Sequence, residues 1–421
     1  MNYKDLLKLS LIIAFPLMFL LSSCGSEDVY MGNTSMNIAH GGRATSFNDE
    51  IYYVNGTEFY RIINGDQMSI KQFEDPEISP YDTDRRNESW ISCLNVKDGW
   101  LYFCVGNSEE GLSNGIWRMK TDGSNAELLI EGYPTQDGMT SWQDGLHLVG
   151  DRLIYSDCFD EYGSLWWRDG EMITSVDLEG GDRQTVYTSP DVEKWTTDGS
   201  YLYCVYTDGK IGKRDLFADG ECNEIADIGT TNGLSELYVV DGTLYLEIFA
   251  DTGPDFYRTT ELYTLDEKKG ELKLAASIDE DAYTKGYAVS NENRFLIRGS
   301  EFDEDFYDAA DVGENTGIYV LDEEEQLLST FSTGTVTREQ EYSDDMYPWR
   351  TGIGVESACL VNNYIFVPST CSLSVESEDG YSYEYRGIIN FTIATDIESG
   401  ETKILSENQW DTMYGEYGAG M

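Results

Sequence analysis

Residues 90–130 read WISCLNVKDGWLYFCVGNSEEGLSNGIWRMKTDGSNAELLI. An apolar run, WISCLNV, is followed by the turn Lys97-Asp98-Gly99. A second run, WLYFCV, leads into a polar loop. GIWRMK, the turn TDGSN and AELLI complete the stretch. Runs of β-branched and aromatic residues are strands, and Asp-Gly pairs between them are tight turns. This stretch therefore predicts four short antiparallel strands in about forty residues.

The second of these strands has counterparts along the chain. IYYVNG begins at 51, WLYFCV at 100, RLIYSD at 152, YLYCVY at 201, TLYLEI at 243, RFLIRG at 294 and YIFVPS at 364. Each is followed by a third strand and a polar turn, as in FYRIINGDQ, ITSVDLEGGD and FTIATDIESG. A repeated unit that cannot bury its own faces must stack on its neighbours. The expected fold is all-β: a single β-propeller over 41–421, with seven four-stranded blades. The spacing of the units, irregular after 201 and after 294, leaves six or eight blades open. Two β-sandwiches are the competing architecture. Segments 74–89, 250–260, 299–316, 332–350 and 371–386 read as long polar insertions, and loops of that length often carry function.

The chain has 421 residues, with 78 Asp+Glu against 28 Lys+Arg and a formal net charge of −50. That excludes nucleic acid, whose phosphates need clustered Lys and Arg, and a polybasic hold on anionic lipid. An aromatic share of 13% supplies enough bulk for a large core. Only 2 His argue against His-based catalysis and His-rich metal sites. His147 lies in the apolar strand GLHLVG and reads as a packed side chain.

The first residues read as an export signal. Lys4 and Lys8 precede an apolar run from Leu9 to Leu21, which Pro16 interrupts and which is short for a membrane span. It ends in Leu21-Ser22-Ser23-Cys24, which looks like a bacterial lipobox. The expected organisation is a lipoprotein signal peptide over 1–23, a lipidated Cys24 with a tether over 24–40, and the propeller over 41–421. The protein would then be lipid-anchored outside the cytoplasmic membrane of a bacterium, Gram-positive or Gram-negative. His40 falls in the expected tether. Seven Cys remain after Cys24. If Val96 pairs with Leu101, Cys93 faces Cys104, and the two are candidates for a cross-strand disulfide.

The stretch DGWLYF…GIWRMKTDGSNAELL resembles the bacterial β-propeller family related to the YWTD propeller of the low-density-lipoprotein receptor. Tyr102, Trp117, Arg118, Asp122 and Gly123 carry the likeness, with weaker echoes at Tyr53, Tyr60 and Arg61, at Tyr203, Tyr206, Asp208 and Gly209, and at Ile318 and Tyr319. The YWTD tetrapeptide itself is absent. The resemblance implies a propeller in a surface lipoprotein of unknown function, and it transfers no catalytic residue.

No nucleophile elbow, zinc-protease motif, phosphate-binding loop or dinucleotide fingerprint is present. No cofactor is expected, with calcium as the one ion considered. Asp303, Asp305, Asp308 and Asp311 form the densest acidic run, although they lack EF-hand spacing. Trp166, Trp167, Tyr347 and Trp349 lie in polar surroundings and are candidate binding aromatics. The expected function is a binding or scaffolding module for a protein, peptide or glycan at the cell envelope. The alternatives are an envelope glycan hydrolase or lyase, and a solute-capturing lipoprotein.

Overall fold

The structure is a computed structural model. It describes residues 29–73, 90–106, 115–131, 145–158, 171–229, 231, 233–250, 259–276, 284–290, 293–298, 317–321, 326–330, 349–355, 358–376 and 383–409. Six antiparallel sheets have four strands each, over 44–72, 90–131, 146–189, 192–227, 234–276 and 284–330. The last sheet, over 349–409, has five. The expectation of seven four-stranded blades is thus corrected: six sheets have that form and the last does not. In it, Trp349–Val355 and Cys359–Val361 pair successive stretches of one edge of the long strand Tyr364–Glu376. That strand also pairs along its whole length with Tyr383–Asp396. Much of the expected insertion at 371–386 is therefore strand.

The strands anticipated from IYYVNG and its counterparts are the second strands of the first six sheets and the long strand Tyr364–Glu376 of the last. The turns form where the sequence places them. Asp98 and Gly99 have φ of 49° and 79°, the paired positive values of a type I′ hairpin turn, whose twist matches that of its strands. The pairing of third and fourth strands shifts register at the same place in every sheet, as at Ile116/Trp117 and Ile211/Gly212. Such bulges increase local twist, and their repetition gives the outer edges a common bend.

Neighbouring sheets pack face to face. The core is divided among the gaps between them: Phe59 meets Leu101 and Phe103, Tyr102 meets Leu148 and Leu153, and Ile154 meets Trp195 and Leu202. Val205 meets Leu237 and Leu246, and Tyr287 meets Leu262 and Ile365. Tyr53 meets Phe366 of the last sheet, which closes the ring. The all-β propeller architecture follows from this succession of stacked sheets.

The expected tether is corrected. Residues 29–43 enter the centre of the ring, and Ser35–Ala39 form one short helix there, capped by the Thr34 side chain. Ser35, Met36, Asn37, Ile38 and His40 are buried. The segment spends its polar groups on the innermost strands. Asn33 Nδ2 donates to the Ala44 and Leu94 carbonyls at 2.8 and 2.7 Å. Ser35 Oγ donates to the Val239 carbonyl at 2.8 Å. Asn37 both accepts from the Leu360 amide and donates to its carbonyl, at 2.8 and 2.9 Å. Buried strand edges need such partners, and this plug supplies them.

Candidate functional site

Strand direction gives the ring two unlike ends. Turns from first to second strand and from third to fourth emerge at one end, and none exceeds seven residues. Connections from second to third strand and from each sheet to the next emerge at the other. The longest connections join strand ends there, over 72–90, 106–115, 131–146, 158–171, 250–259, 298–317 and 330–349. The plug enters at the turn end. The Tyr30 carbonyl accepts from the Gly150 amide, and its ring lies against Lys97.

Trp166 and Trp167 belong to the 158–171 connection, Tyr347 to 330–349, and Asp303, Asp305, Asp308 and Asp311 to 298–317; all lie outside the described residues. Trp349 opens the first strand of the last sheet and pairs with Ser374. Cys24 also lies outside the described residues. Among the described residues no group of His, Cys, Asp and Glu could hold a metal ion.

Cys93 and Cys104, the candidate disulfide pair, are both buried and carry free thiols. Val96 does pair with Leu101, but a bulge at Cys93 and Leu94 brings Ser92 opposite Cys104. Cys93 takes φ 53° in that bulge.

A polar cluster that the sequence did not reveal lies where the plug ends. Glu236 and Glu247 face each other across the first two strands of the sheet at 234–276. Like charges so placed repel, and each carboxylate has a cation. Lys194 Nζ is 3.3 Å from Glu236, and His40 Nε2 is 2.8 Å from Glu247. Tyr238 Oη also donates to Glu247, at 2.9 Å. Burial disfavours a charged His40 ring, but the Glu247 carboxylate outweighs it and holds the pKa above the ordinary value. Burial raises the Glu236 carboxyl, with Lys194 opposing. His147 is the opposite case: packed on Trp195, it is pushed down to about 3 by burial alone. A cavity of about 850 Å³ opens at the turn end, floored by Met36, Val239, Val289 and Leu360 with Asp241 and Glu398 among its lining.

No family model matches the chain, and no curated protein matches it. The YWTD-like resemblance therefore rests on the residues quoted above. Among solved structures, the computationally designed Ika8 protein is similar over 87% of this chain and 98% of its own, at 10% identity and a TM-score of 0.39. A puromycin-hydrolyzing peptidase of Mycobacterium tuberculosis is similar over 89% of this chain and 56% of its own, at 8% identity and a TM-score of 0.40. The β-propeller domain of the Trilobed protease from Pyrococcus furiosus is similar over 76% and 99%, at 12% identity and a TM-score of 0.38. Likenesses this distant say nothing about activity or ligand.

Proposed function

We propose that this chain is a lipid-anchored, extracytoplasmic propeller of the YWTD-like kind that binds a protein, peptide or glycan at its connection end. The observation that carries the reading is the asymmetry of the ring. Short turns rim one end, and the long connections, to which the aromatic and acidic runs singled out in the sequence belong, join strand ends at the other. Large variable loops held on a rigid scaffold are a common way to build a recognition surface. The anchor fits the same geometry. Tyr30 leaves the ring at the turn end, and the six residues from Cys24 span at most about 20 Å. Acyl chains on Cys24 would hold the turn end toward the bilayer and present the connection end outward.

The hydrolase reading has one observation in its favour, the facing carboxylates Glu236 and Glu247. Both are already engaged by cations, and Glu247 is only 2% exposed, which leaves no place for a sugar between them. The two-lobed α/β form expected of solute capture is not the form of this chain.

The test is a pull-down from intact cells beside a glycan array, using the protein and a variant whose 299–316 segment is replaced by a short turn. Capture by the parent and its loss in the variant supports the reading. Turnover of a polysaccharide without any captured partner would overturn it. Palmitate labelling that persists in Cys24→Ala would refute the anchor separately.

A further inference from the structure

Two cysteines outside the binding reading occupy an environment unlike that of the others. Cys204 lies in the strand Tyr201–Tyr206, is fully buried, and pairs across the sheet with Gly212. Cys222 lies just before the outer strand Asn223–Asp227 and is only partly buried. A Cβ on Gly212 would sit 2.7 Å from the Cys222 Cβ and 2.9 Å from Cε2 of Tyr206. The missing side chain therefore opens a gap in the middle strand. Cys222 folds across that gap and packs against the cluster that contains Cys204.

The surroundings of Cys222 are polar and ordered. The Tyr206 and Tyr187 side chains pack beside it. Their hydroxyls lie 2.9 Å from each other, and Tyr187 also donates to Glu221 at 3.1 Å. Arg214 lies over the Tyr187 ring and is fixed by donating to the Gly220 carbonyl at 2.6 Å. A half-buried thiol with tyrosine hydroxyls, a guanidinium and a second thiol close by is the arrangement in which a cysteine becomes a nucleophile.

We propose that Cys222 and Cys204 form a reactive dithiol, with Cys222 the attacking and Cys204 the resolving sulfur, which a disulfide-bearing oxidant converts to an intrachain disulfide. The Cys222 thiolate attacks one sulfur of R–S–S–R, forms a mixed disulfide and releases one thiolate. Cys204 then gives up its proton and attacks the Cys222 sulfur, releasing the second thiolate. The two cysteines lose two electrons and two protons, and the oxidant leaves as two thiols. In support, the Cys222 thiol is lowered to about 7 by its bond from Cys204, with the tyrosines and Arg214 adding to the effect against burial. Two other thiols run the opposite way. Cys104 is raised by Cys93 and by burial, and Cys359 is pushed up to about 11 by burial.

The test uses the reduced, folded protein with oxidised glutathione as the probe, followed by alkylation and peptide mapping without reductant. The expected result is a cross-linked pair of peptides carrying Cys204 and Cys222. Cys204→Ser should trap glutathione on Cys222, and Cys222→Ser should leave Cys204 unmodified. In the unmutated protein, iodoacetamide should label Cys222 more than ~10-fold faster than Cys93, Cys104 or Cys359. Glutathione that stays on Cys222 of the unmutated protein without the cross-link would overturn the proposal. So would labelling of Cys222 no faster than that of the other three, a readout that needs no variant to fold.

Discussion

Acidification should destabilise this protein through His147, and the effect can be isolated. The ring is buried and uncharged, with its pKa held near 3, while an unfolded chain leaves it near 6.5. Between those values the unfolded state binds a proton that the folded state refuses, so stability falls as pH falls. At about 1.4 kcal/mol per pH unit, the interval amounts to roughly 5 kcal/mol. His147→Phe keeps an aromatic ring against Trp195 and removes Nδ1, a buried atom without a hydrogen-bond partner. At neutral pH the variant should lie within about 1 kcal/mol of the parent, because the lost polar atom offsets imperfect packing. Urea unfolding at closely spaced pH values below 6.5 provides the assay. The many carboxylates titrate in both proteins and cancel in the difference. The variant's stability should therefore fall less steeply, by up to about 1.4 kcal/mol per pH unit. Parallel loss of stability in parent and variant would refute the reasoning.

His40 should behave in the opposite sense. Its folded pKa is raised, so its contribution is complete below the unfolded value and is lost as pH rises through the folded one; His40→Gln should flatten the alkaline side of the same profile. Glu247→Leu leaves His40 and Tyr238 in the cluster without their buried partner and should cost about 3–5 kcal/mol, read by urea unfolding. Asn33→Ala strips two buried carbonyls of their donor and should cost about 2–4 kcal/mol, with faster hydrogen exchange at the Leu94 and Val96 amides as the local signature. Gly123→Ala should cost about 1–3 kcal/mol in the same measurement, since Gly123 has φ 82° and a Cβ there would press on the Ile70 carbonyl oxygen of the neighbouring sheet.

The blades were legible because their signals are local. Strands such as WLYFCV and YLYCVY alternate or run apolar over a few residues, and Asp98-Gly99 or Asp241-Gly242 end them. What escaped depends on distant partners. In GNTSMNIAHGG no apolar period marks a buried segment, because its seat is made by carbonyls and amides of strands up to some three hundred residues away. The one local clue was Thr34, whose side chain caps the helix at Asn37. The bulge at Cys93 was equally hidden, since nothing in the residue type favours a positive φ there. The polar, serine-rich run 371–386 masked the long final hairpin, because its strand character comes from pairing rather than from apolar content. Glu236 and Glu247 could not be picked from 78 carboxylates without the register that sets them face to face. Cys204 and Cys222 could not be associated until Gly212 was seen between them.

The plug also bears on the order of events in folding. Residues 33–40 precede every blade in the chain, yet Ser35 is bonded to Val239 and Asn37 to Leu360. A chain that forms from its first residue must hold this segment in waiting while some two hundred and then some three hundred residues are added. The early sheets can pair as an open arc, but their inner edges gain their last partners only when the final sheet arrives. Contacts of such high sequence separation are paid for in loop entropy before they return any bonding, which slows folding. The same arrangement resists the reverse reaction. To open the ring at the junction of its first and last sheets, the molecule must also withdraw a segment pinned to strands on several sides of the channel. A single extraction event thus gates the loss of the whole ring.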